Sequence, residues 1–119
     1  MRPAISCTQK NIEYMYDLAL ECAKAAHVKK PIDVTTMAIG ANQLHGTVYA
    51  MMRGTGIRTG MEDNINYSYH VPAKSNAQLV ERIVSIIHEL DMEVATPDEA
   101  RDLLGLARLK DTAHVRGNI

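Results

Sequence analysis

Apolar residues recur three and four positions apart at Ile12, Met15, Tyr16, Ala19, Cys22, Ala23 and Ala26. That spacing predicts an amphipathic helix capped by Thr8 and ending near His27, ahead of Lys29-Lys30-Pro31. The pattern then changes. Asp33 to Ile39 is a β-branched run between Pro31 and Gly40 and predicts a buried strand. A short turn over Gly40 to Asn42 leads into a second helix, Asn42 to Arg53, with Leu44, Val48, Met51 and Met52 as its inner stripe and Gly54 and Gly56 behind it. Gly56 to Asn64 reads as a second strand-like run, and Asn64 to Lys74 as a polar loop. Ser75 and Gln78 open a third helix with a capping-box pattern and an inward stripe of Leu79, Ile83, Ile86, Ile87 and Leu90. A last helix starts at Thr96, with Pro97 at its first position and Glu99 completing the box, and stops at Gly105; residues 107–119 are expected to be a flexible tail.

The order helix, strand, helix, strand, helix, helix is the rhythm of parallel βα units, so the fold class is α/β. Two parallel strands are too few to stand alone, because parallel sheets need neighbours and covering on both faces. The expectation is one partial domain over 1–119, with further strands upstream.

Composition narrows the function classes. The 119 residues bury a core covering roughly two thirds of the unfolded surface and suit one domain. Thirteen Lys and Arg against fourteen Asp and Glu, mixed along the chain, give no nucleic-acid face. No segment approaches the roughly 20 apolar residues of a membrane span, and the first seven residues lack a signal-peptide core. Cys7 and Cys22 have no metal-type spacing; Cys22 falls on the predicted apolar face of the first helix, where a reduced thiol packs as a small hydrophobe. The expected compartment is the cytoplasm.

Arg58, Gly60 and Glu62 alternate onto one face of a strand, and Asp63 follows at once. A buried strand would carry Val, Ile or Leu there, since ionised groups are rarely buried without partners. Either Arg58 and Asp63 form a plain ion pair tying strand to loop, or the cluster is one side of an active site. Gly54-x-Gly56-x-x-x-Gly60 precedes its strand and is no dinucleotide fingerprint. The turn Gly40-Ala41-Asn42 is a better place for an anion, though a plain strand-to-helix turn is the simpler account of it. Of the histidines His27, His45, His70, His88 and His114, none form a pair on one strand face; His70 alone lies on the loop after Glu62, as a local metal-ligand candidate or a solvated loop residue.

Four motifs in register resemble the C-terminal third of the β-keto acid cleavage enzymes, the 3-keto-5-aminohexanoate cleavage enzyme family. They are Ala38-Ile39-Gly40-Ala41-Asn42-Gln43-Leu44, the Arg-x-Gly-x-Glu-Asp-Asn of 58–64, Ser75 to Val80, and Val94 to Arg101 with Leu103-Leu104-Gly105-Leu106. The resemblance implies a (β/α)8 TIM barrel with the two strands as its seventh and eighth. It implies that Glu62 is a ligand of a catalytic divalent metal, usually zinc, whose two histidine ligands sit in a His-x-His pair that this chain lacks. It implies Asp63 as catalytic base and Arg58 as the arginine beside it. Gly40 and Asn42, in the turn at the start of the second helix, and Asn64, next to Asp63, are the candidate substrate or coenzyme A contacts. The implied reaction exchanges acyl groups between a β-keto acid and acetyl-CoA, giving acetoacetate and a new acyl-CoA. Implied partners are a second copy of the chain or a chain carrying the missing strands.

Overall fold

The computed structural model describes residues 5–108, so the expected tail, from residue 109 on, with His114, and the first four residues lie outside the described residues. Within that range are four helices and two small sheets: α1 (Gln9–Ala25), β1 (Thr35–Thr36), α2 (Gln43–Arg53), β2 (Gly56–Ile57), β3 (Asn66–Ser68), β4 (Val71–Pro72), α3 (Asn76–Glu89) and α4 (Pro97–Leu103). A single 3-10 turn, Gly40–Asn42, precedes α2. The chain divides into two compact units, one up to Ile86 and one from Ile87.

In the first unit β1 and β2 pair in parallel, Thr35 opposite Gly56 and Thr36 opposite Ile57, with α2 as the crossover. The Gly56 N–H donates to Val34 O at 2.9 Å and the Arg58 N–H to Thr36 O at 3.3 Å. Both strands are cut to two residues, where the runs 33–39 and 56–64 predicted more, because each has one neighbour among the described residues and a ladder needs partners to continue. Asn64 to Lys74 is not simply a loop: β3 and β4 pair antiparallel about Tyr69-His70, with His70 at φ 56. Strands of two and three residues, one ending in Pro72, carry no readable alternation.

α2 packs against both parallel strands and against α1. Its buried face is Gln43, Gly46, Thr47, Ala50 and Met51, while Met52 is exposed, so the stripe is rotated from the one predicted. Gly46 explains the rotation. A Cβ there would sit 2.4 Å from the Ala38 Cβ and 2.9 Å from the Cys7 Sγ, so the helix approaches the chain after β1 along a line of small residues. α1 is rotated too: Ile12, Tyr16, Ala19 and Ala23 are half-buried, but Met15 and Cys22 are exposed, which corrects the placement of Cys22 in an apolar face. A polar contact decides that orientation. Arg53 Nε lies 2.6 Å from Glu13 Oε2, and its guanidinium stacks 4.0 Å from the Tyr16 ring centre. The α3 stripe is as expected at Leu79, Ile83 and Ile87, all buried, and Ile86 is half-buried, but Leu90 is exposed because the helix has already ended at Glu89.

Every helix ends the same way. The residues His27, Gly54, Asp91 and Gly105 take positive φ, and the next N–H reaches back five residues, to Ala23, Ala50, Ile87 and Arg101 respectively. In the second unit α4 begins with the reciprocal box its sequence predicts. Thr96 Oγ1 accepts from the Glu99 N–H at 3.3 Å, and Glu99 Oε2 accepts from the Thr96 N–H at 2.8 Å. No described helix is long and apolar enough to cross a membrane.

Candidate functional site

The chain leaves β2 at Ile57 and folds into a tight turn, with the Asp63 and Asn64 N–H groups donating to Gly60 O at 3.2 and 3.3 Å. Three other anchors hold that turn. Buried Gln43 donates from Nε2 to the same Gly60 oxygen at 2.8 Å, Asn76 Oδ1 accepts the Met61 N–H at 2.7 Å, and the Gly40 N–H donates to Asp63 O at 2.7 Å. Gly40, at φ 68, thus ties the turn after β1 to the turn after β2. Arg58, Glu62 and Asp63 do come together, but by the turn and not by strand alternation, since the strand has ended. A Cβ at Gly60 would meet Asn76 Oδ1 at 3.5 Å and Glu62 Cγ at 4.0 Å, both ordinary contacts, so the packing of the turn does not require a glycine there.

The three charges differ in exposure. Arg58 Nη2 pairs closely with Glu62 Oε1, and both side chains are open to solvent. Asp63 is 8% exposed, with Oδ2 3.4 Å from Arg58 Nε. That approach is within ion-pair reach but is not aligned as a hydrogen bond, and Oδ2 is buried with no hydrogen-bond donor. A buried carboxylate oxygen without a donor is costly, and it leaves lone pairs free to accept a proton.

Asn42 and Asn64 line one cavity of about 590 Å³, together with Thr59, Tyr67, His70 and Arg82. Asn64 is also the clamp of its own turn, donating from Nδ2 to Asn66 O at 2.8 Å and accepting the Asn66 N–H at 3.1 Å. His70 borders this cavity, whereas Glu62 does not. Among the described residues no three His, Cys, Asp or Glu side chains come together to hold a metal ion, so Glu62 and its neighbours do not make a metal site by themselves. Cys7 is a packing thiol, its ionisation pushed up by burial.

Gln43, Asn76 and Arg82 are the site residues that sequence reasoning missed. Gln43 carried one signal, a polar residue in the first turn of a helix whose following residues are buried. Asn76 and Arg82 carried none, since each acts across 15 positions of chain, Asn76 on Met61 and Arg82 on the carbonyl of Tyr67.

The sequence profile of the family described as beta-keto acid cleavage enzyme matches residues 4–106. The chain is 32% identical over 124 aligned positions to a 3-keto-5-aminohexanoate cleavage enzyme of Acetoanaerobium sticklandii, covering 79% of this chain and 45% of that protein. It is 42% identical over 74 positions to the Fusobacterium nucleatum protein of the same name, covering 62% of this chain and 27% of that one. To a 3-oxoadipate:acetyl-CoA acetyltransferase of Cupriavidus necator it is 37% identical over 76 positions, covering 64% of this chain and 27% of the other. The chain therefore spans less than half the length of these relatives.

Proposed function

Because the chain belongs to the beta-keto acid cleavage enzyme family, we propose that it is the C-terminal part of a (β/α)8 barrel whose seventh and eighth strands are β1 and β2. The parallel pairing with a helical crossover supports this, as does the position of the charged turn directly after β2, since barrel enzymes keep their chemistry at the C-terminal ends of strands. The activity is acyl exchange between a β-keto acid and acetyl-CoA, giving acetoacetate and a new acyl-CoA. Asp63 removes a proton from the carbon between the two carbonyls, and the carbanion attacks the thioester carbon, expelling the coenzyme A thiolate. That thiolate then attacks the original acyl carbonyl, the carbon–carbon bond to it breaks to leave the new acyl-CoA, and the departing acetoacetate carbanion takes back the proton held on Asp63. Arg58 holds Asp63 in place and offsets negative charge developing on the substrate. A divalent metal, zinc in this reading, would supply Lewis acidity to the substrate oxygens when bound; Glu62 is the one ligand this chain would offer, the other two lying outside it.

The observation that carries the reading is the Asp63 carboxylate, nine-tenths buried with an oxygen lacking a donor. The test mixes this chain with one carrying the first six strands and assays acetoacetate from a β-keto acid and acetyl-CoA. Asp63→Asn should cut the rate roughly 10²- to 10⁴-fold, the usual worth of a general base. A mixture that turns over equally well with the Asp63→Asn variant would refute the role of Asp63, and no turnover from any mixture would leave the chain a non-catalytic, self-associating remnant.

A further inference from the structure

Proton transfer at Asp63 makes no use of the cavity lined by Asn42, Thr59 and Arg82. At about 590 Å³ it is the size of a small-molecule site. Its lining contains no Asp or Glu. Arg82, from α3, reaches the Tyr67 carbonyl with Nη1 and lies 4.4 Å from the Tyr67 ring centre, yet among the described residues it pairs with no carboxylate. Arg53 and Arg58, by contrast, each pair with two. A half-buried guanidinium, fixed in orientation and lacking a counter-ion, suits an incoming anion, and its planar fork suits phosphate. The carboxamides of Asn42 and Asn66 border the same space and make no side-chain hydrogen bond among the described residues. Tyr69, also on the wall, is 87% exposed and offers a ring face for stacking.

We propose that this cavity binds a nucleoside phosphate, the nucleotide end of the acyl carrier, with Arg82 on the phosphate, Asn42 and Asn66 as polar contacts and Tyr69 against the base. The assignment of that nucleotide to the co-substrate rests on the function proposed above. In that barrel Asn42 follows the seventh strand and Thr59 and Asn64 the eighth, where barrel enzymes frequently hold phosphate.

The test titrates the full chain calorimetrically with adenosine 3′,5′-bisphosphate, inorganic phosphate and adenosine. The bisphosphate should bind at one site and at least about tenfold more tightly than either fragment, the worth of one hydrogen bond to a charged group. Asn42→Asp brings a carboxylate into the cavity while leaving a favoured residue at the start of α2, so folding is preserved. It should weaken the bisphosphate by about tenfold or more, and Arg82→Lys, which keeps the charge but loses the fork, should weaken it too. Bisphosphate binding no tighter than phosphate, or unchanged in Asn42→Asp, overturns the proposal. If the bisphosphate fails while the reconstituted barrel makes acetoacetate, this inference falls and the function stands; bisphosphate binding with no turnover in any mixture gives the reverse.

Discussion

Asp63 is held where a structural ion pair would gain little. Its 3.4 Å approach to Arg58 Nε is unaligned, one oxygen has no donor, and the Arg58 fork is closer to Glu62. Replacing a buried, under-paired charge by an isosteric amide relieves desolvation, so Asp63→Asn should raise the stability of the chain, by about 0.5–2 kcal/mol, in the manner of residues kept for activity at a cost in stability. Urea unfolding of the two proteins reads this directly; a lower midpoint for the variant would mean that Asp63 is a structural tie after all. The grouping of Arg58, Glu62 and Asp63 was legible in the sequence because all three lie within six residues and a turn of any kind brings them near. The anchors were not. Gln43, Asn76 and the Gly40 N–H reach the turn from 15 to 23 positions away in sequence, and nothing local marks a carboxamide as the partner of a particular carbonyl.

Elements defined by their own sequence were the readable ones. The third helix carries a cap and a stripe, and the fourth a cap and a stop, each within a single run of chain, and the Leu79, Ile83, Ile87 stripe and the Thr96 box are both present. Faces that depend on a neighbour were misread: α1 turns toward Arg53 and α2 turns on Gly46, so Cys22 and Met52 face solvent. The fourth helix invites a test at this scale, since seven residues make a marginal helix and its box supplies much of its order. Thr96→Ala should cost it about 1 kcal/mol, seen as faster amide exchange over residues 98–103. The Glu99 carboxyl is held below the ordinary glutamate value of 4.5 by the Thr96 backbone N–H and then by the Thr96 hydroxyl. A lowered folded value means the cap is fully present above 4.5 and lost as pH falls through the lower folded value. Protection should therefore decline below pH 4.5 in the parent chain and stay flat there in Glu99→Gln. An equal decline in both would remove Glu99 as the cause.

For the molecule as a whole, each of the two parallel strands has one neighbour among the described residues and so an open outer edge there, and apolar side chains in the segments that follow the strands are exposed: Met37 at 39% and Ile39 at 58% after β1, and Ile65 at 65% in the stretch from β2 to β3. Open strand edges with apolar flanks recruit further chains. The barrel reading supplies the missing neighbours from a companion chain; without one, copies of this chain are the available partners. Sedimentation of the purified chain should show concentration-dependent association that gives way to a single defined complex once the chain with the early strands is added. Ile39→Lys together with Ile65→Lys should shift the lone chain toward monomer with stability changed by no more than about 0.5 kcal/mol per site, because both positions are already in solvent. A chain that sediments as a monomer at all concentrations and takes up no apolar dye would show that these edges are closed in some other way, and the need for companion strands would go with them.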